Sequence, residues 1–320
     1  MRTRTATLGV LFATTTAIVW GGQFVVGKSA LESVNAFPLS TIRYALAAAL
    51  WLIVLIAVEG WRSLKLDGRG WRLFWLGSLG FAGFNLLAYT GLAHARPETA
   101  SLIVALGPLL TALVLWRRTG RRPARSTFAL LGVALLGVAL VVSAGQPSSI
   151  VHGAIGWGEV LVLGGVFSFI LYSLGAAEFR TMSPLRYTAL TASLGWLTIA
   201  GATVVAIATG LVDLPSGGEL WSVSPEILYL AIPGAFVAVL TWNAAIASIG
   251  PQNAVLFSNL IPVTTFAIEI VRGYRPNAVE LVGAGLTIGA LVANNLLARR
   301  SQRRALGEAA PRAAALREAA

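Results

Sequence analysis

The sequence predicts an all-α integral membrane protein of ten transmembrane helices, arranged as two inverted five-helix repeats. Three observations carry that prediction. Hydrophobic residues make up 56% of the 320 positions against 12% charged, and the mean hydropathy is +0.76, a balance that a water-facing globular surface does not tolerate. Apolar runs of about 20 residues, long enough to cross roughly 30 Å of hydrocarbon as helix, recur along the chain. One motif is written twice: P-x-x-A-x-L-x-x-x-L-x-P-x-x-T stands at Pro97, Ala100, Leu102, Leu106, Pro108 and Thr111, and returns at one constant offset at Pro251, Ala254, Leu256, Leu260, Pro262 and Thr265.

In order, the runs lie at about 8–28, 37–58, 73–93, 99–116, 127–144, 155–177, 187–210, 227–247, 253–271 and 279–298. Their internal periodicity is weak, as expected of helices apolar on most faces. The first run follows Arg2 and Arg4 but is too long for a signal peptide and lacks a small-residue cleavage site. The chain divides into a first repeat at 1–148, a second at 149–300 and a tail at 301–320, expected to be a disordered or weakly helical cytoplasmic end. The stretch 145–154 is the natural junction, and 59–72 and 211–226 are the longest connections.

The 24 basic residues set the orientation. With the N-terminus inside, Arg2, Arg4, the basic clusters at 62–72 and 117–125, Arg180, Arg186 and the six arginines after 298 share one face; Lys28, Arg96, Arg272 and Arg275 lie opposite, and Arg43 lies within a helix. Both termini are therefore expected in the cytoplasm of a multi-pass cell-membrane protein. Five helices per half make the second copy enter the bilayer from the other side, the architecture in which two halves rock about a site near the midplane.

Composition also excludes. There is no cysteine and only two histidines, His94 and His152, so no disulfide framework, metal site or cofactor is expected. The net charge of +11 sits in short loops without interleaved aromatics, which argues against a nucleic-acid partner. No H-E-x-x-H, G-x-S-x-G or acid–histidine cluster supports a polytopic membrane enzyme, and a membrane scaffold or receptor has no need of matched mid-helix prolines. The partners left are the lipid bilayer and a small-molecule substrate.

A substrate site needs polar groups at mid-membrane and a backbone that rearranges. Pro108 and Pro262 each lack an N–H and displace the carbonyl four residues earlier, Val104 and Ser258. At similar depth lie Trp20 and Gln23, Asn85 and Tyr89, Ser168 and Tyr172, Trp242 and Asn243, and Asn259 with Thr264 and Thr265. An amide unpaired in hydrocarbon costs several kcal/mol, so each faces a neighbouring helix or a wet cavity. Of these, the amides Asn85, Asn243 and Asn259 both donate and accept, and Trp20 and Trp242 would suit an amphipathic or cationic ligand or pack in the core. A charge at the bilayer centre costs about 2.5–3.5 kcal/mol on insertion scales. Arg43 and Glu269 are at similar depth and can pair, or Glu269 can bridge to Arg272; Lys28 and Glu159 sit near the outer boundary and can snorkel. Gly132 and Gly137, with Gly283, Gly285 and Gly289, offer close-packing surfaces.

The runs Val19-Trp20-Gly21-Gly22-Gln23-Phe24 and Pro38 through Arg43-Tyr44, and the two A-x-L-x-x-x-L-x-P stretches closed by Gly120-Arg121-Arg122-Pro123 and Gly273-Tyr274-Arg275-Pro276, resemble the ten-helix, EamA-type branch of the drug/metabolite transporter superfamily over about residues 8–298. Glu159 stands where that family opens helix 6 with an acid, and Pro184-Leu185-Arg186-Tyr187 resembles the helix 2 opening. The resemblance implies secondary transport by alternating access of a small metabolite or amphipath, such as an amino acid or a drug-like compound, with efflux favoured over uptake. It also implies that helices 5 and 10, which carry the close-packing glycines, close each half and can support a homodimer. This chain departs from the pattern in two ways. Arg121 and Tyr274 replace the acids of two Gly-Glu pairs, and Glu269 stands at a position that is usually apolar.

Overall fold

The computed structural model describes residues 2–120, 122–144, 146, 156–179 and 181–318. Among these there is no strand, and ten spans follow one another. They are α1 (Arg2–Ala30), α2 (Ala36–Glu59), α3 (Gly70–His94), α4 (Pro97–Ala105, resuming as Gly107–Thr119), α5 (Arg125–Val142), α6 (Trp157–Phe179), α7 (Pro184–Ala208), α8 (Ser224–Ile249), α9 (Pro251–Phe257, resuming as Leu260–Val271) and α10 (Ala278–Glu318). The last helix runs past residue 301. The expected junction at 145–154 lies outside the described residues except for Gln146, as do Arg121, His152 and Arg180.

Local chemistry sets the ends. Asn35 and Ser183 cap α2 and α7, their side-chain oxygens accepting from the N–H of Phe37 at 3.1 Å and of Arg186 at 3.0 Å. Gly120 (φ 70°) and Gly273 (φ 104°) adopt left-handed backbone just after α4 and α9, and Pro123 and Pro276 then forbid resumption. The repeated G-x-R-P is thus a helix stop that only glycine closes without strain.

The halves interdigitate. α1 packs on α8 and α3 on α6; α1 packs on α9 and α6 on α4; α2 pairs with α7, α4 with α9 and α5 with α10. Exchanging the halves leaves this set unchanged, the signature of a twofold relation between repeats. Small residues permit the closest approaches. A Cβ on Gly77 of α3 would stand 2.2 Å from the Thr191 carbonyl oxygen of α7, and one on Gly137 of α5 would stand 2.4 Å from the Gly283 carbonyl oxygen of α10. Thr287 of α10 also donates to the Ala134 carbonyl at 3.2 Å. The G-x-x-x-G step differs from expectation: Cβ atoms on Gly285 and Gly289, or on Gly132, would meet nothing within 4 Å, so the α5–α10 contact is made one helix face away.

Candidate substrate site

Four helices are not continuous α-helix, and each break has a counterpart in the other half. α4, expected as one span, bends by 42° at Leu106. Its counterpart α9 turns at Ser258 and Asn259 but runs on as one span over Asn253–Val271. The carbonyls that the prolines were expected to free are taken up locally: Ile261 N–H donates to the Ser258 carbonyl at 3.1 Å, and Leu106 N–H closes the α4 turn on Ile103 at 3.1 Å and on Val104. Pro108 is second in its segment and Pro262 third, first-turn positions where a missing N–H costs little. The prolines therefore mark the breaks without exposing acceptors.

The acceptors are elsewhere. α3 is π-helical over Ser78–Gly83 and α8 over Leu230–Val237, with Pro233 inside the latter. Gly80 and Gly234 occupy matching places at the same offset as the repeated prolines. A π segment loosens the i→i−4 ladder, and each is met by a side chain from the opposite half. Trp20 Nε1 of α1 donates to the Gly234 carbonyl at 3.1 Å, and Ser168 Oγ of α6 donates to the Leu79 carbonyl at 2.8 Å. Thr16 of α1 reaches the Ala238 carbonyl at 3.2 Å, and Asn85 Nδ2 reaches the Phe81 carbonyl at 2.7 Å. The glycines make this approach possible: a Cβ on Gly234 would lie 2.7 Å from Gln23 Oε1, and one on Gly83 would lie 2.1 Å from Ser168 Oγ. Sequence reasoning missed both segments, although the recurrence of Gly80 at Gly234 was visible.

The sequence-predicted residues fall into distinct groups. Trp20 and Trp242 stand with ring centroids 5.6 Å apart, beside Gln23 and the α8 π segment, and Asn243 is half-buried next in line. Asn85 and Tyr89 are both buried and lie four residues apart on α3, and Tyr89 faces Arg43 of α2, whose guanidinium carbon lies 4.4 Å from the Tyr89 ring centre. Trp20, Gln23 and Gly27 share one face of α1. Gly27 takes the edge of the Tyr89 ring, 3.0 Å from where its Cβ would be, so this stripe touches both groups. Asn259, in the α9 break, donates to the Leu256 carbonyl at 3.0 Å while its Oδ1 has no partner.

Other candidates lie away from these groups. Thr265 donates to the Gly21 carbonyl at 2.9 Å and closes the α1–α9 contact. Tyr172 stacks on Tyr187 at 5.4 Å and fills the α3 approach at Gly80, toward the α6–α7 loop. Arg43 and Glu269 do not pair; Glu269 bridges to Arg272 at 3.5 Å, because Arg43 points between α2 and α3 while Glu269 sits near the end of α9. Glu159 accepts from the Gly156 N–H at 3.1 Å and caps α6. Lys28, expected to snorkel, instead donates to the Leu92 and Ala93 carbonyls at 3.0 and 2.7 Å, the last turn of α3. Among the described residues no group of His, Asp or Glu could hold a metal ion.

Two faces close this interior differently. On the face carrying both termini, the α2–α3 and α6–α7 loops are tied together: Arg72 pairs with Glu178 at 2.6 Å, Arg186 pairs with Asp67 at 2.7 Å and donates to the Ser63 carbonyl at 2.7 Å, and Ser183 donates to Glu59. On the opposite face the counterpart loops, α1–α2 and α7–α8, leave a cleft of about 230 Å³ lined by Ser33, Val34, Asn35, Asp213, Leu214 and Glu219 among others. A separate tie there joins the α3–α4 loop to α10. Arg96 pairs with buried Glu280 at 2.7 Å, and Tyr274, the residue replacing one acid of the Gly-Glu pairs, donates to Glu280 at 2.6 Å. Burial, and then the bond to Glu280, push the Tyr274 hydroxyl above the ordinary tyrosine range, so it stays protonated as a donor.

The family model of the EamA-like transporter family matches residues 7–143 and 156–296, both halves of this architecture. The chain belongs to the EamA-like transporter family. It is 30% identical over 297 residues to "Uncharacterized transporter YrdR" of Bacillus subtilis, covering 92% of each chain. It is 23% identical over 283 residues to a protein of Streptantibioticus cattleyicolor named "Probable terminal-alkyne amino-acid exporter", covering 88% of this chain and 91% of that one. A solved crystal structure, 22% identical, shares the fold with a TM-score of 0.63 over 91% of this chain and 98% of its own. For an EamA-like transporter the breaks at matching places in α3 and α8, and in α4 and α9, lie where the two repeats meet, the place such folds use for substrate.

Proposed function

We propose that the chain is a secondary transporter that exports a small metabolite, amino-acid-like or amphipathic, across the cell membrane by alternating access. The observation that carries this reading is the matched pair of π segments in α3 and α8, each held by a side chain from the other half. Irregular backbone at membrane depth is tolerated where it is buried in protein or lines a cavity, and its recurrence in both repeats supports a rearranging centre. Trp20, Gln23, Asn85, Tyr89, Trp242, Asn243 and Asn259 are the contact residues of this reading, with Pro108 and Pro262 marking the breaks. The loops tied by Arg72, Arg186 and Ser183 form the closed face, and the cleft at Ser33 and Asp213 is the route on the other. The basic-residue distribution supports both termini in the cytoplasm, which makes the tied face cytoplasmic. The export direction draws on the name of the amino-acid exporter it resembles. The open face at Gly132, Gly285 and Gly289 is where a second copy would dock.

Counterflow in proteoliposomes tests the reading: vesicles preloaded with single unlabelled amino acids, amines or carboxylates should accumulate the labelled solute in a protein-dependent manner for at least one of them. Accumulation equal to that of protein-free vesicles across the panel would refute it.

A further inference from the structure

Of the nine buried polar side-chain atoms without a hydrogen-bond partner in the described interior, five belong to α2 and α3. Ser40 Oγ, Arg43 Nε and Nη1, Asn85 Oδ1 and Tyr89 OH are all buried without a hydrogen-bond partner. Ser40 and Arg43 are three residues apart on α2, and Asn85 and Tyr89 four apart on α3, so each pair shares a helix face. The Arg43 side chain joins the faces, its guanidinium carbon 4.4 Å from the Tyr89 ring centre and 5.0 Å from that of Tyr44. Arg43 is 1% exposed, and among the described residues it has no ion pair.

A buried guanidinium without a counter-charge is among the least favourable arrangements in a membrane protein. Aromatic faces compensate a cation partly, but they leave its Nε and Nη1 donors without an acceptor. The role is also confined to one repeat. Counted from the proline near the start of each helix, Pro38 and Pro184, the position of Arg43 in α7 is Ala189, which is fully buried. Twofold packing of the repeats therefore does not require an arginine there.

We propose that Arg43, with the Ser40 and Tyr89 hydroxyls, holds the carboxylate of the transported substrate; the assignment rests on the transport reading above and names the substrate class. A planar fork of N–H donors matches a carboxylate two bonds at a time. One unpaired positive charge beside neutral donors balances a monoanion, whereas a phosphate monoester brings about −1.5 to −2 charges and would leave the site negative. Asn85 Oδ1, the acceptor of the set, is placed for a donor elsewhere on the same ligand. Access is from the cleft side. Val34 lines the cleft and packs in one apolar cluster with Tyr89, Leu39, Ile227 and Leu230, so this apolar layer separates the cleft from Arg43 and must part for the substrate to pass.

The test uses the purified full chain, wild type and the variants Arg43→Gln and Arg43→Met, with L-leucine, L-phenylalanine, pyruvate and phenylacetate each set against its methyl ester. Thermal unfolding without ligand should be unchanged or higher in both variants, because an unpaired buried charge is removed. A lower unfolding temperature in both would show that Arg43 is a packing residue and overturn the proposal. In counterflow, the acids carried by wild type should outcompete their esters, and each variant should lose at least tenfold in apparent affinity for the acid while the ester is unaffected. Acid and ester carried equally, or an acid preference that survives in Arg43→Gln, would overturn the carboxylate assignment and leave transport standing. Absence of counterflow for every solute in wild type would instead fail the transport reading.

Discussion

If the π segments of α3 and α8 are the flexible elements of the transporter, the two side chains that bridge to them set how often they open. Trp20→Phe removes the indole donor to the Gly234 carbonyl but keeps an aromatic ring facing Trp242, and Ser168→Ala removes the donor to the Leu79 carbonyl with the loss of one atom. Hydrogen bonds between membrane helices average about 0.6 kcal/mol in double-mutant cycles, with a maximum of about 1.7. Converted at about 1.4 kcal/mol per factor of ten, local opening should rise about threefold and at most roughly 16-fold. Hydrogen–deuterium exchange of the purified protein reads this directly, because local opening governs exchange of amides in each segment. Trp20→Phe should accelerate exchange over 230–237 and leave 78–83 near wild type; Ser168→Ala should do the reverse. Unchanged exchange in both segments, or equal acceleration everywhere, would refute the assignment of these bonds as local restraints.

Three further outcomes follow from the packing and the loops. Arg186→Ala removes bonds to the Ser63 and Lys65 carbonyls and to Asp67 from a side chain only 17% exposed; it should lower stability by on the order of 2 kcal/mol and increase labelling of cysteines placed in the α2–α3 loop, both read on the purified protein. Gly77→Ala would put a Cβ 2.2 Å from the Thr191 carbonyl oxygen and 3.0 Å from the Gly195 nitrogen. Backbone on both sides cannot give cheaply, so the unfolding temperature should drop by the equivalent of about 1–3 kcal/mol. In intact cells, a cysteine at Leu214 should react with an impermeant thiol reagent and one at Lys65 should not, and equal labelling would contradict the orientation.

Much of the fold was legible because the bilayer imposes it: apolar runs of spanning length and a motif written twice are enough to place ten helices and two repeats. Even the G-x-R-P recurrence had a local physical meaning, realised in the left-handed Gly120 and Gly273. The breaks were only partly legible. Pro108 and Pro262 pointed to α4 and α9, but a tight turn rebonds the displaced carbonyls within a residue or two, and no sequence rule distinguishes that from an exposed acceptor. The π segments left no hydrophobic-period signature, since α3 and α8 are apolar on most faces, and the Gly80–Gly234 match was hidden among the 34 glycines of the chain. Among the charges, depth alone allowed Arg43 to pair with Glu269. Which helix face each occupies is a matter of rotation about the helix axis, and this left Arg43 with Tyr89 and Glu269 with Arg272.

The central claim is that one interior is reached alternately from two faces. The chain has no cysteine, so introduced pairs report without background. Spin-label distances in proteoliposomes would be measured across the tied face between Lys65 and Ala177, and across the cleft between Ser33 and Leu214. The account predicts two populations at each pair that change reciprocally, so that weakening the tie with Arg186→Ala lengthens the first distance and shortens the second. A single unchanging distance at both pairs, or two that lengthen together, would contradict it.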